Sequence, residues 1–326
     1  MSTVGLGIIS TADIGVAKVI PAMQQAENIE VVAIASRSAG RAEEAAAALG
    51  IGTAHDSYEA ILEDESVQAV YIPLPNDLHA EWTLRAAAAG KHILCEKPLA
   101  MSASQASDMV DGCRDVGVKL QEAFMYRHHP TWVEAIRLVR SEAIGTVQAV
   151  HSFFSYYNDD PSNIRNRLEN GGGALMDIGC YNINLSRLVF DAEPDRIESV
   201  VRRDPVMGID TLTSAVLSFP GGGQSSFTCT TRGEDLQRVH IVGTAGRIEI
   251  DIPFNIPTDV ATTIRVTAGG EPPQSPNTET IVFPPSNQYT VQAELFGQAI
   301  LDDTPVVVSP DDAVANMRVI DQILAG

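Results

Sequence analysis

Five short apolar runs alternate with helical segments in the first third of the chain, and that alternation restricts the fold more than any other feature. Val4 to Ile9, Ile29 to Ala35, Ala69 to Leu74, His92 to Cys95 and Val118 to Ala123 have strand length and few polar residues. Between them, Ile14 to Gln25, Arg41 to Leu49, Tyr58 to Leu62, Trp82 to Ala89 and Ser104 to Val116 read as helices, two of them closed by Gly90 and Gly117. Strands buried on both faces look like continuous apolar runs, and strand-helix-strand order joins them in parallel. The expectation is an α/β domain with a doubly wound parallel sheet over residues 1–122, binding ligands at the carboxyl ends of its strands.

The pattern changes past Phe124. Helical spacing recurs at Thr131 to Ser141 and Ala174 to Phe190, around a long strand at Val147 to Tyr157. Strand-like stretches then follow at Ile197–Arg202, Thr213–Phe219, Gly223–Thr231, Arg238–Gly243, Arg247–Asp251 and Thr263–Val266, separated by Pro and Gly turns. Residues 267–287, rich in Gly, Pro, Ser and Asn, read as a surface loop, and helices at Gln292–Leu301 and Asp311–Leu324 follow. Residues 123–326 are therefore expected to form an α+β domain on a large, mostly antiparallel open sheet. A length of 326 residues suits two such domains.

The first strand ends in a phosphate-type turn. Of two glycine registers, Gly5-x-Gly7-x-x-Ser10 lies inside the strand, whereas Ser10-x-Ala12-x-x-Gly15 follows the strand and opens the helix. The second register makes Ser10, Thr11, Ala12, Asp13 and Ile14 candidates for a dinucleotide pyrophosphate, with small residues and a helix N-terminus supplying N–H donors. The second strand ends in Ser36-Arg37, where an NAD site usually places an acid. A hydroxyl beside a guanidinium suits a 2′-phosphate, so NADP(H) is preferred and NAD(H) remains possible. The bland alternative is a solvated Arg37 in an ordinary loop.

The strand His92–Cys95 runs into Glu96-Lys97-Pro98. A residue before proline is held extended, so the ammonium of Lys97 is aimed rather than left to sample solvent. Later, Gly171-Gly172-Gly173 opens a helix in which Asp177 and Tyr181 stand four residues apart on one face. A carboxylate that orients, a phenol that exchanges a proton and a cation that favours the phenolate are what carbonyl/alcohol interconversion requires. Each motif alone is compatible with a plain turn or helix surface; their company points to a dehydrogenase.

A net charge of −20 argues against nucleic acid or an anionic membrane as partner. Cys95, Cys113, Cys180 and Cys229 have neither metal-ligand nor disulfide-framework spacing, so no metal is expected. No leader pattern or membrane-length apolar run is evident, which makes the cytoplasm the expected location.

The segments Ala69 to His79, Gly90 to Leu99, Glu122 to Arg127 and Gly171 to Tyr181 resemble the glucose-fructose oxidoreductase / inositol dehydrogenase family (Gfo/Idh/MocA). The branch most like them contains glucose-fructose oxidoreductase, D-xylose dehydrogenase and dimeric dihydrodiol dehydrogenase. The resemblance implies an NAD(P)-dependent enzyme acting on CH–OH groups, with Lys97 as catalytic lysine in a cis Lys97-Pro98 turn. It also implies that Tyr181 is the acid/base beside Asp177, and that Leu74, Asn76, His79 and Glu96 lie around the cofactor. His79 is equally readable as a satisfied helix-start histidine. Arg165, with Lys97, Asp177 and Tyr181, is expected to contact substrate. Tyr181, where inositol dehydrogenases usually have His, points to an aldose or cyclic diol, with trans-dihydrodiol dehydrogenase, deoxysugar ketoreductase and a non-catalytic NADP(H) sensor as alternatives. A homo-oligomer, dimer or tetramer, through the open sheet is also implied.

Overall fold

The computed structural model describes residues 2–269 and 277–326. The chain forms two compact units, Met1–Met125 with Tyr289–Val314 and Tyr126–Gln288 with Ala315–Gly326.

The first unit is built on strands β1 (Val4–Ile9), β2 (Ile29–Ala35), β3 (Thr53–His55), β4 (Ala69–Ile72), β5 (His92–Cys95) and β6 (Leu120–Glu122). They form one parallel sheet in the order β3-β2-β1-β4-β5-β6. Chain order reverses across β1, which places the carboxyl ends of β1 and β4 at the switch point where such sheets take ligands. Every residue of β1 and β4 is buried, as expected of strands covered on both faces. Leu6, Ile8, Ile34, Tyr71 and Leu94 pack there with Phe296 and Ala293 of the helix Gln288–Leu301.

The glycines of β1 serve packing. A Cβ on Gly5 would stand 2.1 Å from the Ser66 carbonyl oxygen, and one on Gly7 2.9 Å from Val67 Cγ1. Gly5 N–H also donates to Gln68 Oε1 at 2.9 Å. These contacts seat the chain entering β4 against β1 and account for the glycine register that does not serve the turn.

The second unit contains β7 (Val147–Tyr157), β8 (Arg196–Arg203), β9 (Asp210–Ser218), β10 (Gln224–Thr230), β11 (Arg232–Gly243), β12 (Gly246–Ile250), β13 (Thr262–Ala268) and β14 (Thr278–Phe283). Their order is β14-β13-β12-β11-β7-β10-β9-β8, antiparallel throughout the described residues except where β7 meets β10. One face is buried beneath the helix Cys180–Phe190, two of whose polar residues bond to the sheet: Asn182 Nδ2 donates to Ser152 Oγ at 2.8 Å, and Ser186 pairs with Ser225 at 2.6 Å. The opposite face carries exposed His151 and half-exposed Ser226, His240 and Arg265.

Two strands were not expected. β3 is three residues of mostly exposed Thr-Ala-His with no apolar pattern to reveal it. β14 falls within the stretch read as a loop, because an edge strand with one solvated face needs few apolar residues; residues 270–276 of that stretch lie outside the described residues. The helix expected from Trp82 begins at Asn76, since its polar first turn lacks apolar spacing.

Gly5→Ala should destabilise the protein by about 1–3 kcal/mol, the range for an overpacked core, because the obstructing atom is backbone rather than a flexible side chain. Urea denaturation monitored by fluorescence measures this directly, and an unchanged midpoint would show that segment 66–68 shifts freely.

Candidate active site

The turn Ser10 to Ile14 follows β1, with Ser10 at φ 130°, a conformation that suits glycine and strains an L-residue. That strain identifies Ser10 as the occupant of a glycine position. Val16 N–H donates to Ala12 O at 3.0 Å, and a π-helical turn, Gly15–Val19, leads into Ile20–Met23. Ser10, Thr11, Ala12 and Ile14 are partly exposed and Asp13 is exposed, so backbone and small side chains face outward where a pyrophosphate is expected. At the end of β2, Ser36 is buried with its Oγ accepting from Ser38 N–H at 3.3 Å, and Arg37 is exposed.

The lysine turn is braced from three elements. The Lys97-Pro98 bond is cis, as the resemblance implied. Tyr71 of β4 donates its phenolic hydrogen to Glu96 Oε1 at 2.7 Å, and Glu96 Oε2 accepts from Lys97 N–H at 3.3 Å. Burial, with the Glu96 charge next, pushes the Tyr71 phenol well above its ordinary pKa, so it remains a donor. Beyond the proline, Glu122 of β6 accepts from Leu99 N–H at 2.7 Å.

His79 supplies the third brace. It is fully buried in the helix Asn76–Ala88, with Nδ1 3.0 Å from Pro98 O and Nε2 2.8 Å from Leu74 O. Burial lowers its pKa, and the backbone contacts oppose that shift. The geometry matches the satisfied-histidine reading: His79 ties the chain after β4 to the lysine turn. Leu74 is buried and contributes its carbonyl, while Asn76 is half-buried at the helix start. Lys97 and Glu96 are also half-buried.

In the second unit, the segment after Gly171 is shaped by close approaches. A Cβ on Gly172 would meet Arg165 O at 2.5 Å, and one on Gly173, at φ 125°, would meet Asp210 Oδ1 at 2.1 Å. The buried Asp210 carboxylate accepts from Leu175 N–H and Thr213 Oγ1, both at 2.8 Å, and so caps the helix start. A π-helical turn, Leu175–Gly179, precedes the α-helical stretch Cys180–Phe190. Asp177 lies within that turn and Tyr181 just after it.

Asp177 is held by two donors. Arg165 Nε donates to Oδ1 at 3.2 Å, and the phenol of Tyr156, at the end of β7, donates to Oδ2 at 2.5 Å. The Tyr181 ring, 4% exposed, packs among Tyr126, Phe154 and Phe254 with centroids 5.9, 5.8 and 5.3 Å away. Arg232 binds the carbonyl of Asn158, and its Nη2 donates to Asn166 Oδ1 at 3.2 Å, pinning the 3-10 turn Ile164–Asn166 that bears Arg165. Sequence reasoning named Asp177, Arg165 and Tyr181 but missed Tyr71, Glu122, Tyr156, Asp210 and Arg232. Alternation along β7 offered one signal, because Tyr156 shares the register of buried Val150, Ser152 and Phe154. Among the described residues, no group of three or more metal-ligating side chains comes together.

Comparison with known proteins places this fold among oxidoreductases. Residues 3–124 match the Gfo/Idh/MocA model described as an oxidoreductase family with an NAD-binding Rossmann fold, and residues 132–249 match the C-terminal domain model of the same family. The chain is 46% identical to an uncharacterised oxidoreductase of Rhizobium meliloti, covering 99% of this chain and 96% of that one. It is 41% identical to a D-xylose 1-dehydrogenase (NADP⁺) of Haloferax volcanii, over 97% and 95% of the two chains. Among solved structures, a 3-ketoreductase of Actinomadura kijaniata in complex with NADP and TDP-benzene superposes with a TM-score of 0.90 at 29% identity, covering 100% and 98%. Variants of that ketoreductase with one tyrosine or one lysine replaced have also been solved.

Ser10→Gly should raise stability by about 1 kcal/mol, the lower end of the cost of a residue held at such a dihedral, and leave NADP⁺ affinity intact. Thermal unfolding with and without NADP⁺ checks both. A loss of stability would show that the serine side chain contributes more than its backbone strain costs.

Proposed function

This chain belongs to the Gfo/Idh/MocA family of oxidoreductases, and from that premise we propose that Lys97, Asp177 and Tyr181 carry out its chemistry on an aldose. The protein is an NADP(H)-preferring oxidoreductase that moves a hydride between nicotinamide and a carbinol or hemiacetal carbon of a sugar-like substrate. The observation that carries the catalytic assignment is the bracing of the Lys97 turn by Tyr71, His79 and Glu122. Three separate elements spend buried polar groups on one short turn, which a solvated surface lysine would not require. The lysine and tyrosine replaced in the ketoreductase variants are also the same number of residues apart as Lys97 and Tyr181.

When bound, NADP⁺ supplies the hydride acceptor. The residues manage the remaining proton. Lys97 places a positive charge at the reacting oxygen, Tyr181 takes the hydroxyl proton as the carbon loses hydride, and Asp177 orients the substrate with Arg165. In the reducing direction Tyr181 returns that proton to the nascent alkoxide. The turn Ser10 to Ile14 would take the pyrophosphate, and Ser36 with Arg37 the 2′-phosphate, consistent with the small residues of the turn and the exposed guanidinium. Reduction of a keto-deoxysugar is the second reading, favoured by the ketoreductase's likeness over the whole chain. Self-association through the exposed face of the eight-stranded sheet is part of the proposal, supported by the row from Ser226 through His151 and His240 to Glu249 and Arg265, which lie at matching register positions. No helix among the described residues is long and apolar enough to cross a membrane.

Steady-state turnover of a panel of aldoses with NADP⁺ tests the assignment. Tyr181→Phe should lower kcat by roughly 10²–10⁴-fold, the usual contribution of a positioned acid/base, with NADP⁺ affinity nearly unchanged. Lys97→Met should do likewise, and the double variant should be scarcely worse than the poorer single one, because both act on one proton. Turnover of Tyr181→Phe within a few-fold of the unmodified protein would mean that the proton leaves by another route.

A further inference from the structure

We infer that Tyr156 is a positioning residue for Asp177, the fixed phenol that decides which way this carboxylate faces; the inference rests on the catalytic reading above. Asp177 occupies the π-helical turn Leu175–Gly179, where the ordinary helical hydrogen-bond pattern is interrupted and the backbone alone directs a side chain less tightly. Its two oxygens are oriented by donors of unequal rigidity. Arg165 reaches Oδ1 from the short 3-10 turn Ile164–Asn166 along a long, flexible side chain that is 41% exposed. Tyr156 reaches Oδ2 at 2.5 Å from a strand in the middle of the sheet, its ring fixed by two torsions.

The regular alternation of β7 presents that phenol. Along β7 the pairing with β11 shifts register between Arg232 and Leu236, and the partners on either side are Tyr157 and Ser155, so Tyr156 stands opposite the bulge. Ser155 Oγ bonds the Glu234 carbonyl within the same bulge. The extra residues belong to β11, so the bulge leaves the alternation of β7 intact, and Tyr156 keeps the face of the buried Val150, Ser152 and Phe154, from which it meets Asp177. The pairing with β10 ends at Ser155, so Tyr156 is the first residue beyond that ladder.

Tyr156 is equipped to hold rather than to react. Burial, followed by the Asp177 charge, raises its pKa far above that of an ordinary phenol, which keeps the hydrogen on oxygen and pointed at the carboxylate. A phenol held protonated in this way is suited to donate to Asp177, which leaves proton exchange to Tyr181.

A double-mutant cycle on the full-length protein with its NADP⁺-linked aldose reaction tests the role. Tyr156→Phe should reduce kcat about 10- to 100-fold, the range for losing a hydrogen bond to a charged group, while the Kd for NADP⁺, read by fluorescence titration, stays within about twofold. In an Asp177→Asn background, the same substitution should change kcat less than about threefold, because its effect passes through that carboxylate. Tyr156→Phe within twofold of the parent, or an equal loss in both backgrounds, overturns the inference. Tyr181→Phe is measured alongside: near-normal turnover there defeats the catalytic reading itself, whereas a crippled Tyr181→Phe with a normal Tyr156→Phe defeats only the positioning role. Tm values and NADP⁺ affinity exclude misfolding, and a Tyr156→Trp variant that keeps an aromatic ring but displaces the donor should match Tyr156→Phe.

Discussion

A half-buried carboxylate at Glu96 requires donors, and the way this chain supplies them organises its chemistry. Tyr71 crosses from the neighbouring strand to donate a phenolic hydrogen, and the backbone N–H of Lys97 donates to the other oxygen. His79 and Glu122 complete the bracing at Pro98 and Leu99. Each of these groups would be costly to bury unpaired, so each is stable only while the turn keeps its shape. The turn and the polar core beneath it therefore stabilise each other, and the lysine inherits a defined direction. Hydrogen bonds of this kind contribute modestly to net stability, but the cost of breaking one partner is large, which makes the arrangement selective rather than merely stable.

The second unit solves a similar problem with different parts. Its helix start is capped by the buried carboxylate of Asp210, the glycines at 172 and 173 admit backbone and carboxylate at distances no Cβ would tolerate, and a π-helical turn sets Asp177 apart from the regular helix. A π-helical turn also follows the strained Ser10 turn in the first unit. In both places regular structure yields where a ligand is expected, and the irregularity is supported by close packing around it. Local rules are broken at the proposed site and obeyed in the surrounding sheets.

Much of this was legible in the residues. Strands β1 and β4 are continuous apolar runs because both of their faces are covered, β2 and β5 are mostly so, and Lys97, Asp177 and Tyr181 lie in segments specific enough to name a family. What remained hidden was of two kinds. β3 and β14 are short or partly solvated, so no periodicity distinguishes them from loops. The bracing residues Tyr71, Glu122 and Tyr156 sit in strands where a polar tip looks like an ordinary strand residue, and Asp210 and Arg232 act over separations that no local pattern encodes. The pairing of Arg165 with Asp177 was hidden for the same reason, although both residues were candidates. His79 shows the opposite case: the residue type was noticed, and only the two carbonyls at its ring nitrogens decide between lining a pocket and bracing a turn.

The chemistry argued above requires that a hydride pass from a sugar carbon directly to NADP⁺. An aldose deuterated at its anomeric carbon, incubated with the enzyme and NADP⁺, tests it most directly, with the reduced cofactor isolated and weighed by mass spectrometry. Direct transfer yields NADPH one mass unit heavier, with the label at C4 of the nicotinamide. Unlabelled NADPH, or deuterium released to water with no reduced cofactor formed, would contradict it.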